Sequence, residues 1–404
     1  MKVLQINAIS RIRSTGRLCA EIADYLNSVG EEGYLAYSSG MPYEKGYKIG
    51  TKSEIKMHTF FSHLFGMQAY YSKKGTRKLL RYMDEIKPDV IHLENLHSNF
   101  INLKLLMQYI SKNEIPTVIT LWDCWFFTGK CCHYKIDNCY KWKTECGQCP
   151  RLKKDNKSWF FDRSKKMFRD KKKWFNDIQN LAVVGVSDWI TGEAKQSFLQ
   201  SAKIITRIYN WIDLEVFKPV NAEELRKKLG LENKFVILGV ASDWIIAKGL
   251  YSFLALAKII PEDMSIILIG NIDQDVVLQD NIIHIKETNN VQEMVEFYSL
   301  ADVFVHLSVQ ETFGMVTAEA LSCGTPAVVI NTTANPELVG EGCGFVSETD
   351  NADEILQNIL KVREKGKKNF SNNCRDYAKN NFAKEDRVKD YYNLYKAISK
   401  PKEK

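Results

Sequence analysis

The sequence of 404 residues has no apolar run near the roughly 18 residues that a helix needs to cross a bilayer. Its first residues, MKVLQINAIS, form too short an apolar stretch, and one too polar after Lys2, for a secretory signal peptide. No solenoid-type internal repeat is evident either. These absences exclude membrane-spanning, secreted and repeat architectures. We therefore expect a cytoplasmic protein, and the basic segment described below adds the inner face of the plasma membrane as one interpretation.

The composition is that of a globular protein. Hydrophobic residues make up 45% of the chain and aromatic residues 11%, which is enough to bury sizeable cores, and the length indicates two or three domains. In such a chain we expect the ten cysteines to be reduced thiols or metal ligands, not a disulfide framework.

Short β-branched runs alternate with helical stretches along the whole chain. This alternation predicts parallel sheets covered by helices on both faces, the doubly wound α/β class. In the first half the predicted strands are VLQIN, GYLAYSS, VIHLE, TVITLW and LAVVGVS, and in the second half they are FVILGV, SIILIG, NIIHI, VFVHLS and AVVIN.

The stretch IITRIYNWIDLEVFKPV predicts a strand followed by a connecting segment, which puts a domain boundary near residues 207–220. We expect residues 1–207 to form an N-terminal domain and residues 208–375 a C-terminal domain. Residues 376–404 are predicted to form a terminal helix that packs on the second domain or crosses back to the first. Two doubly wound domains in tandem would face each other across a central cleft, with a ligand at the carboxyl ends of the strands.

The positive charge is concentrated in the first half. Residues 1–200 hold 32 Lys and Arg against 20 Asp and Glu, whereas the net charge of the whole chain is +7. The densest basic segment is residues 151–175, where aromatic residues are interleaved with Lys and Arg. On one helix this mixture suits contact with an anionic membrane. The alternative is a helix that packs its aromatic residues inward and exposes a basic face, and nucleic acid is a weaker interpretation.

The stretch SVQETFGMVTAEALSCGTP places two carboxylates eight positions apart. The run before it predicts a strand and the run after it a helix, so Glu311 lies in a loop and Glu319 in the second helical turn. Between them Gly314, Met315 and Val316 supply free backbone N–H groups at a helix N-terminus, which favours an anion such as phosphate. A glycine there also allows close approach of a ligand to the backbone.

Eight residues at the helical rise span at most roughly 12 Å, which matches a sugar, a diphosphate and a ribose in line. A carboxylate, an amide cluster and a second carboxylate would then meet hydroxyls, diphosphate and hydroxyls in that order. The stretch therefore predicts a site for a nucleotide sugar. The alternative is that Glu311 and Glu319 are solvated charges on an ordinary amphipathic helix.

The loop at residues 124–150 is rich in cysteine and predicted to be poor in apolar content. One Cys₄ zinc site could hold such a loop, and it would be structural because four thiolates leave no position for a reactive water. The candidate ligands are Cys131, Cys139, Cys146 and Cys149. Two disulfides or plain reduced thiols are the alternatives.

Taken together, these stretches resemble family 4 retaining glycosyltransferases of the GT-B fold, over essentially the whole length. The chain looks most similar to glycosyltransferases of capsule, O-antigen and exopolysaccharide biosynthesis. The stretches that carry the resemblance are MKVLQIN, STGR, IHLENLH, TLWDCWFFTGKC, KWKTECGQCP, VSDWI, YNWIDLEVFKP, GVASDWIIAKG and ETFGMVTAEALSCGTP. The implied fold is two Rossmann-like domains that face a central cleft.

The resemblance implies a role for each residue of the donor site. Glu311 would contact hydroxyls of the transferred sugar, and Glu319 would contact the ribose hydroxyls. The backbone N–H groups of Gly314, Met315 and Val316 would face the sugar and the diphosphate.

Lys248 in AKG matches the lysine that neutralises the departing diphosphate. In STGR, the family's glycine loop, Gly16 would approach the diphosphate from the first domain. Thr15 and Arg17 would lie on the acceptor side.

The first domain departs from the family pattern in two places. The family usually has His-Asp after the fourth strand, and this sequence has Trp122 followed by Asp123, for which a catalytic role is implied. Tryptophan cannot act as an imidazolium. Glu94 stands where related sequences often carry histidine, although His97 remains and is assigned with Trp122 to the acceptor side. The second domain also lacks the arginine that usually accompanies the lysine, which should weaken stabilisation of the leaving group.

The resemblance implies transfer of a sugar from a UDP- or GDP-sugar to a lipid-linked or oligosaccharide acceptor, with retention at the anomeric carbon. No metal is required for this chemistry, and no nucleic acid takes part. Two alternatives stay open: a nucleotide-sugar 2-epimerase on the same fold, and a non-catalytic relative that binds nucleotide sugar or acts as a scaffold.

Overall fold

The structure is a computed structural model that describes residues 1–399, and it divides into two compact α/β units. Among the described residues, the first unit comprises Met1–Ile208 together with residues 388–399, and the second comprises Tyr209–Arg387. Within the described residues no helix is long and apolar enough to cross a membrane.

The regular elements alternate as expected for doubly wound sheets. The strands are β1 Lys2–Ser10, β2 Glu32–Gly40, β3 Gly46–Lys48, β4 Val90–Leu93, β5 Thr117–Leu121, β6 Leu181–Gly185, β7 Ile204–Arg207, β8 Phe235–Asp243, β9 Met264–Asn271, β10 Ile282–Ile285, β11 Val303–His306, β12 Ala327–Ile330 and β13 Gly344–Ser347. The helices are α1 Arg13–Ser28, α2 Lys52–Phe65, α3 Lys73–Ile86, α4 Leu103–Lys112, α5 Ser164–Asn176, α6 Asp188–Gln196, α7 Glu223–Lys228, α8 Leu250–Ala257, α9 Val291–Leu300, α10 Met315–Ser322, α11 Ala352–Lys365, α12 Lys368–Phe382 and α13 Lys384–Ile398.

The first unit is built on a parallel sheet of seven strands in the order β3-β2-β1-β4-β5-β6-β7. Every residue of β4, β5 and β6 is buried, as expected for strands covered on both faces. Because β4 and β5 are neighbours in register, with Leu93 opposite Ile119, the loops that follow them leave the same edge of the sheet. These two loops carry Glu94, His97, Trp122 and Asp123.

The second unit is built on a parallel sheet of six strands in the order β10-β9-β8-β11-β12-β13. Val303 of β11 lies opposite Ile237 of β8, so these strands are neighbours at the centre of the sheet. The loops after them carry Lys248 and Glu311. Both units therefore place their candidate residues at the carboxyl ends of adjacent central strands.

The predicted doubly wound fold class and the predicted strands are confirmed, whereas two short strands were not predicted. These are β3 and β13, of three and four residues, and both lie at the edge of a sheet. A short, partly exposed edge strand has neither the apolar run nor the strict alternation by which a strand is predicted.

The C-terminal region contains two helices where one was predicted from residue 376. The structure has α12 and α13, and α13 is grouped with the first unit from Val388 onward, while its first residues, 384–387, are grouped with the second. Tyr391 and Tyr395 of α13 are fully buried, and the Tyr395 hydroxyl lies 2.7 Å from His92 Nδ1. Residues 400–404 of the predicted helix lie outside the described part of the chain.

Candidate active site

Lys248 and Glu311 form an ion pair in the second unit. Lys248 Nζ lies 2.5 Å from Glu311 Oε1, and His306 Nε2 lies 3.2 Å from the same oxygen. Lys248 ends a short 3₁₀ turn after β8, and Glu311 lies in the loop after β11. Because β8 and β11 are neighbours, two residues 63 positions apart in sequence meet at one point.

The Glu311 carboxyl is held ionised. Burial raises its pKa, but the hydrogen bond from His306 and the charge of Lys248 outweigh the burial, so the pKa lies well below its ordinary value. The Glu311 backbone N–H donates to Thr333 Oγ1 at 2.9 Å, which fixes the loop. With 17% of its side chain exposed, this carboxylate can accept hydrogen bonds from the hydroxyl groups of a ligand.

A glycine makes the position of Lys248 possible. Gly249 has φ +80°, and a Cβ built on it would lie 2.5 Å from both the Cβ and the carbonyl oxygen of Leu307. The turn is also fixed by the Val309 N–H, which donates to the Ala247 carbonyl at 3.0 Å. The lysine loop and the glutamate loop are thus packed backbone to backbone, which sets the position of both side chains.

The second glutamate lies on α10, as the sequence predicted. Gly314, with φ +100°, precedes the helix, and the N–H groups of Met315 and Val316 belong to its first turn, before any intrahelical acceptor. Glu319 follows in the second turn and accepts a hydrogen bond of 2.8 Å from the Tyr298 hydroxyl. One short segment therefore presents a carboxylate, helix-terminal amides and a second carboxylate.

Two residues of this site were not predicted, His306 and Tyr298. His306 holds Glu311 through Nε2, and its Nδ1 lies 2.9 Å from Thr317 Oγ1 on α10. A signal for His306 existed, since it is a polar residue at the carboxyl end of an otherwise apolar buried strand. Tyr298 gave no such signal, because a tyrosine on an amphipathic helix is ordinary.

In the first unit, the two departures from the family pattern contact each other. Trp122 Nε1 donates a hydrogen bond of 2.7 Å to Glu94 Oε2. Glu94 is fully buried, and its Oε1 lies 3.0 Å from His92 Nδ1. Trp122 and Glu94 therefore form one hydrogen-bonded pair.

Burial controls the protonation of this pair. It raises the pKa of Glu94 to about 8, although the hydrogen bond from Trp122 acts in the opposite direction. Burial also lowers the pKa of His92 to about 3. Near neutral pH, both groups are therefore mainly uncharged, and the interior beneath the loops contains no isolated charge at this point.

An imidazole and a carboxylate nevertheless meet beside Trp122. His97 Nε2 lies 2.8 Å from Asp123 Oδ2. Burial raises the pKa of Asp123 and lowers that of His97, but their mutual attraction outweighs burial, so the Asp123 pKa is lowered and the His97 pKa is raised. The buried Lys171 Nζ donates to the Trp125 carbonyl at 2.6 Å, and burial lowers its pKa to about 7.

The STGR motif lies in the first turn of α1. Gly16 is buried, and its carbonyl accepts from the Arg11 N–H at 2.9 Å. A Cβ on Gly16 would lie 3.2 to 3.3 Å from atoms of Ile9 and Arg11, so a glycine permits close packing of the helix on the end of β1. Thr15 is half-buried, and Arg17 makes a long ion pair of 4.0 Å with Glu21.

The cysteine-rich loop has an aromatic core of its own, so the expectation that it lacks apolar content is wrong. Phe127, Tyr134 and Trp142 are buried, and the Trp142 ring centroid lies 4.9 Å from that of Phe127 and 5.2 Å from that of Tyr134. The aromatic side chains of the loop therefore supply it with a core.

The four candidate zinc ligands are free thiols that lie near one another. Burial raises the pKa of Cys131 and of Cys146 to about 12, and the negative charges of neighbouring thiolates contribute. However, four sulfur ligands of one zinc lie about 3.8 Å apart, as follows from a Zn–S distance of about 2.3 Å. Among residues 1–399, one group of three potential metal ligands has its ligand atoms within 4.8 Å of one another. This group is His97, Asp123 and Cys132, and it contains none of the four candidate cysteines. The loop as it stands does not fit a closed Cys₄ site.

The basic segment at residues 151–175 is not one helix. Helix α5 begins at Ser164, and its Phe168, Trp174 and Phe175 are buried, so this half packs its aromatic residues inward. The interpretation of a continuous membrane-facing helix is wrong for α5. The other half, around Trp159, is not helical and exposes its aromatic side chains.

Comparison with known proteins locates the family resemblance in the second unit. The family described as "Glycosyl transferases group 1" matches residues 221–381. This range includes Lys248, Glu311 and Glu319, so the ion pair and both carboxylates lie inside the matched region.

Two curated relatives are similar over part of the chain. The chain is 27% identical over 237 residues to N-acetyl-alpha-D-glucosaminyl L-malate synthase of Bacillus anthracis, covering 55% of this chain and 61% of that protein. It is 30% identical over 221 residues to UDP-Gal:alpha-D-GlcNAc-diphosphoundecaprenol alpha-1,3-galactosyltransferase of Escherichia coli, covering 49% and 56%. The matches thus span less than two thirds of either relative.

Solved structures match over nearly the whole chain. A glycosyltransferase from Rickettsia africae superimposes with a TM-score of 0.68 at 15% identity, covering 98% of both chains. Anabaena Alr3699/HepE in complex with UDP gives a TM-score of 0.68 at 17% identity, covering 98% of this chain and 100% of that one. At such identities the likeness establishes the fold. The chain therefore has the GT-B fold, and its residues 221–381 match the family of group 1 glycosyl transferases.

Proposed function

We propose that the protein is a retaining glycosyltransferase that uses a nucleotide-diphosphate sugar as its donor. The observation that carries the proposal is the cluster of Lys248, Glu311 and His306 beside the N-terminus of α10. A cation, a fixed carboxylate and helix-terminal amides are the groups that a sugar diphosphate needs. Glu319, held by Tyr298 on the same helix, would contact the ribose.

Lys248 would act on the leaving group. In the structure its ammonium faces Glu311, and a bound diphosphate would offer a second, more negative partner. A fixed cation stabilises the charge that develops on a departing diphosphate, and it requires no reorganisation during the reaction. Glu311 would then keep Lys248 in place while accepting hydrogen bonds from the sugar.

The reaction that we propose has no protein nucleophile. The acceptor hydroxyl oxygen forms a bond to the anomeric carbon on the face from which the diphosphate leaves, while the bond between that carbon and the diphosphate oxygen breaks. A diphosphate oxygen takes the hydroxyl proton, so no metal is required. The residues of the chain mainly position the two substrates and stabilise the charge.

His97 is our candidate for the imidazole that position 122 lacks. It forms its pair with Asp123, the residue that directly follows Trp122. We propose that this pair acts on the acceptor side of the reaction, with Asp123 holding the imidazole in position. Replacing His97 by Asn would then lower the turnover number, while donor binding to the second unit would be unchanged.

For the acceptor we propose a lipid-linked saccharide or an oligosaccharide of surface polysaccharide biosynthesis. The name of the Escherichia coli relative specifies UDP-galactose and an acceptor linked to diphosphoundecaprenol. By analogy a UDP-sugar is our first choice of donor and a GDP-sugar the second. We also propose a cytoplasmic location, which agrees with the ten free cysteines in the structure.

A non-catalytic nucleotide-sugar-binding protein is the second candidate. It is favoured by Trp122, which occupies the position of the family histidine and is committed to Glu94. Both candidates predict donor binding, and only the transferase releases nucleoside diphosphate. An epimerase would instead return an isomerised donor.

The test is a thermal-shift screen against UDP-, GDP-, ADP- and dTDP-sugars, followed by an assay of nucleoside diphosphate release. A ligand at 100 times its dissociation constant should stabilise the fold by about 2.7 kcal/mol. Stabilisation by a donor together with slow release of nucleoside diphosphate supports the transferase. Stabilisation without any release, with and without oligosaccharide acceptors, favours the binding protein, and the absence of stabilisation by every donor contradicts both.

Structural zinc at Cys131, Cys139, Cys146 and Cys149 stays a proposal. Zinc binding would require the loop to rearrange, so that the four sulfur atoms come to about 3.8 Å from one another. The measurement is the zinc content of the purified protein. About one zinc per chain, lost in Cys146→Ser and kept in Cys132→Ser, would support the site, and no bound zinc would exclude it.

A further inference from the structure

Five aromatic side chains form one exposed surface on the first unit, which we call the aromatic surface. They come from α2 and from residues 159–161. The members are Phe60, Phe65, Trp159, Phe160 and Phe161. Phe160 is 68% exposed and Phe60 is 50% exposed, so these side chains are not part of the hydrophobic core. Contiguous exposed apolar side chains on a folded protein indicate an interaction site.

The rings contact one another in a connected series. The Phe60 and Trp159 ring centroids are 5.7 Å apart, those of Trp159 and Phe160 are 6.4 Å apart, and those of Phe65 and Phe161 are 6.5 Å apart. The two segments that supply them, 99 positions apart at Phe60 and Trp159, therefore form a single surface.

The backbone fixes this arrangement. The Trp159 N–H donates to the His63 carbonyl at 2.7 Å, and the Ser158 hydroxyl donates to the Phe161 carbonyl at 2.8 Å. Gly66, with φ +69°, ends α2, and a Cβ built on it would lie 2.2 Å from the Phe161 carbonyl oxygen. The aromatic surface is thus a built feature, held by hydrogen bonds and by a glycine that its packing requires.

Positive charge flanks the aromatic surface. Lys52 and Lys56 are exposed on α2, two turns and one turn before Phe60, respectively. On the other segment Lys153 is exposed, and its ammonium donates to the Trp159 carbonyl. The Arg163 guanidinium lies 5.5 Å from the centre of the Phe161 ring.

Two carboxylates of the same segments, those of Glu54 and Asp162, accept hydrogen bonds from the backbone. Glu54 accepts a hydrogen bond from the Gly75 N–H at 2.9 Å. Asp162 accepts from the N–H groups of Cys149 and Ser164 at 2.7 and 2.8 Å. The surface therefore combines apolar rings with an excess of cations.

A cavity of about 680 Å³ adjoins the aromatic surface. It lies between α2, α3 and β3 and has an apolar wall and a cationic rim. The apolar wall includes Met57, Phe61 and Tyr71, and the rim includes Lys73, Lys74 and Lys78. Phe61 connects the cavity to the aromatic surface, because its ring centroid lies 5.5 Å from that of Phe60 and 6.2 Å from that of Phe65. An apolar wall next to lysines matches a molecule with a hydrocarbon chain and an anionic headgroup.

We propose that the aromatic surface binds the interface of an anionic lipid bilayer, with the cavity accepting one phospholipid whose phosphate meets the lysine rim. Aromatic rings at headgroup depth and lysines near lipid phosphates are the chemistry that holds a peripheral protein to such a membrane. A neutral protein partner would leave the lysine rim without a counterpart. This inference stands apart from the proposed reaction and uses none of its residues.

The test measures partition of the full-length protein onto sedimented vesicles. Two compositions are compared: phosphatidylcholine alone, and phosphatidylcholine mixed with phosphatidylglycerol. We expect binding to the anionic vesicles, reduced by salt, and little binding to the neutral ones. Equal binding to both, or to neither, overturns the proposal.

Two variants separate the apolar and the ionic contributions. Phe160→Ser should weaken binding to anionic vesicles about tenfold, because most of an exposed ring is lost from the interface. Lys74→Glu combined with Lys78→Glu should weaken it about 30-fold. The matched controls lie in the second unit: Val277→Ser, at a side chain that is 85% exposed, and Lys227→Glu combined with Lys228→Glu. Equal loss in variants and controls contradicts the proposed surface.

Folding and self-association are checked on the same samples. Phe65→Ser is the second apolar variant if Phe160→Ser lowers the melting temperature. Phospholipid with brominated acyl chains should quench tryptophan fluorescence, and Trp159→Phe should remove most of that quenching. A dimer that disappears in Phe160→Ser, without vesicle binding by the wild type, would assign the surface to a second copy of the chain. If inorganic phosphate competes with vesicle binding and the aromatic variants do not change that binding, the lysine rim is a simple anion site and the proposal is wrong.

Discussion

Glu311 and Glu94 occupy equivalent places in the two units, each in a loop at the carboxyl end of a central strand, yet they are held in opposite states. The pKa of Glu311 is lowered although burial acts against it, because His306 and Lys248 face it. The pKa of Glu94 is raised to about 8 because burial dominates, and its partner Trp122 is neutral. A partner that carries charge keeps one carboxyl ionised, and a partner without charge leaves the other protonated near neutral pH.

The difference indicates where the charge chemistry is located. The second unit has an ionised, partly exposed carboxylate beside a cation, which is suited to a polar ligand. The first unit has a neutral contact between Trp122 and the buried Glu94 at the equivalent loops, and its charge lies at His97 and Asp123 instead. The contact between Trp122 and Glu94 therefore leaves His97 and Asp123 as the charged pair of these two loops.

The largest effect is expected at Lys248. Lys248→Ala removes the cation that would stabilise the departing diphosphate, and we expect nucleoside diphosphate release to fall about 10² to 10³-fold. The turnover number for release measures this. Lys258→Ala, at an exposed lysine after α8, is the control and should keep the wild-type rate. A Lys248→Ala rate within a factor of two of the wild type would remove Lys248 from the mechanism.

The next effect is on stability. Gly249→Ala forces a Cβ against the backbone of Leu307 at a left-handed φ, and we expect a loss of about 3 kcal/mol in the free energy of unfolding. Gly230→Ala has a similar φ of +66° but no atom within 4 Å, so it should cost only about 1 kcal/mol. Urea denaturation of both variants measures the difference. Equal losses of unfolding free energy in the two variants would mean that the close contact of Gly249 with Leu307 contributes nothing beyond the cost of the left-handed φ.

The opposite pKa shifts predict opposite pH dependences. Glu94 keeps its proton in the folded state up to a pH of about 8, whereas the unfolded chain releases it near 4.5, so its contribution to stability falls between these values. Glu94→Gln should abolish that fall, which is at most about 1.4 kcal/mol per pH unit. An ionised Glu311 contributes stability above pH 4.5, and this contribution is lost as the pH falls through its lowered pKa. Glu311→Gln should therefore remove part of the loss of stability that the wild type shows below pH 4.5. Unfolding free energies of wild type and variants against pH test this, and parallel curves would refute it.

The smallest effect is expected at Tyr298. Tyr298→Phe removes the hydrogen bond of 2.8 Å to Glu319 and leaves the carboxylate less well positioned. We expect donor affinity to fall about fivefold, corresponding to about 1 kcal/mol. Tyr251→Phe, at an exposed tyrosine of α8, is the control. A loss of affinity of the same size in the control would show that the effect is not specific to Glu319.

The sequence predicted the site in the second unit better than the site in the first. The loop, glycine and helix around Glu319 form one continuous segment, so its local pattern predicted their arrangement, whereas Lys248 was predicted from the family resemblance. The contact of Trp122 with Glu94 joins residues 28 positions apart through side chains alone, and no periodicity marks it.

The segment around Trp159 was predicted wrongly for a different reason. Composition suggested one helix, but the Asp162 carboxylate accepts a hydrogen bond from the Ser164 N–H and marks a helix start there. The N-cap of α5 is Arg163, which makes no side-chain capping hydrogen bond, so the usual sequence signal for a helix start is missing at this boundary. That the residues before it would pack on α2 depends on tertiary contacts that the sequence does not show.

The most direct test of the central claim is the calorimetric affinity for the donor that stabilises the protein, measured on Glu311→Gln and Glu319→Gln. The control is Asp273→Asn, which neutralises an exposed carboxylate in a polar loop of the same unit. If the two glutamates bind the donor, each variant loses at least about tenfold in affinity and the control loses none. Wild-type affinity in both glutamate variants would contradict the assignment.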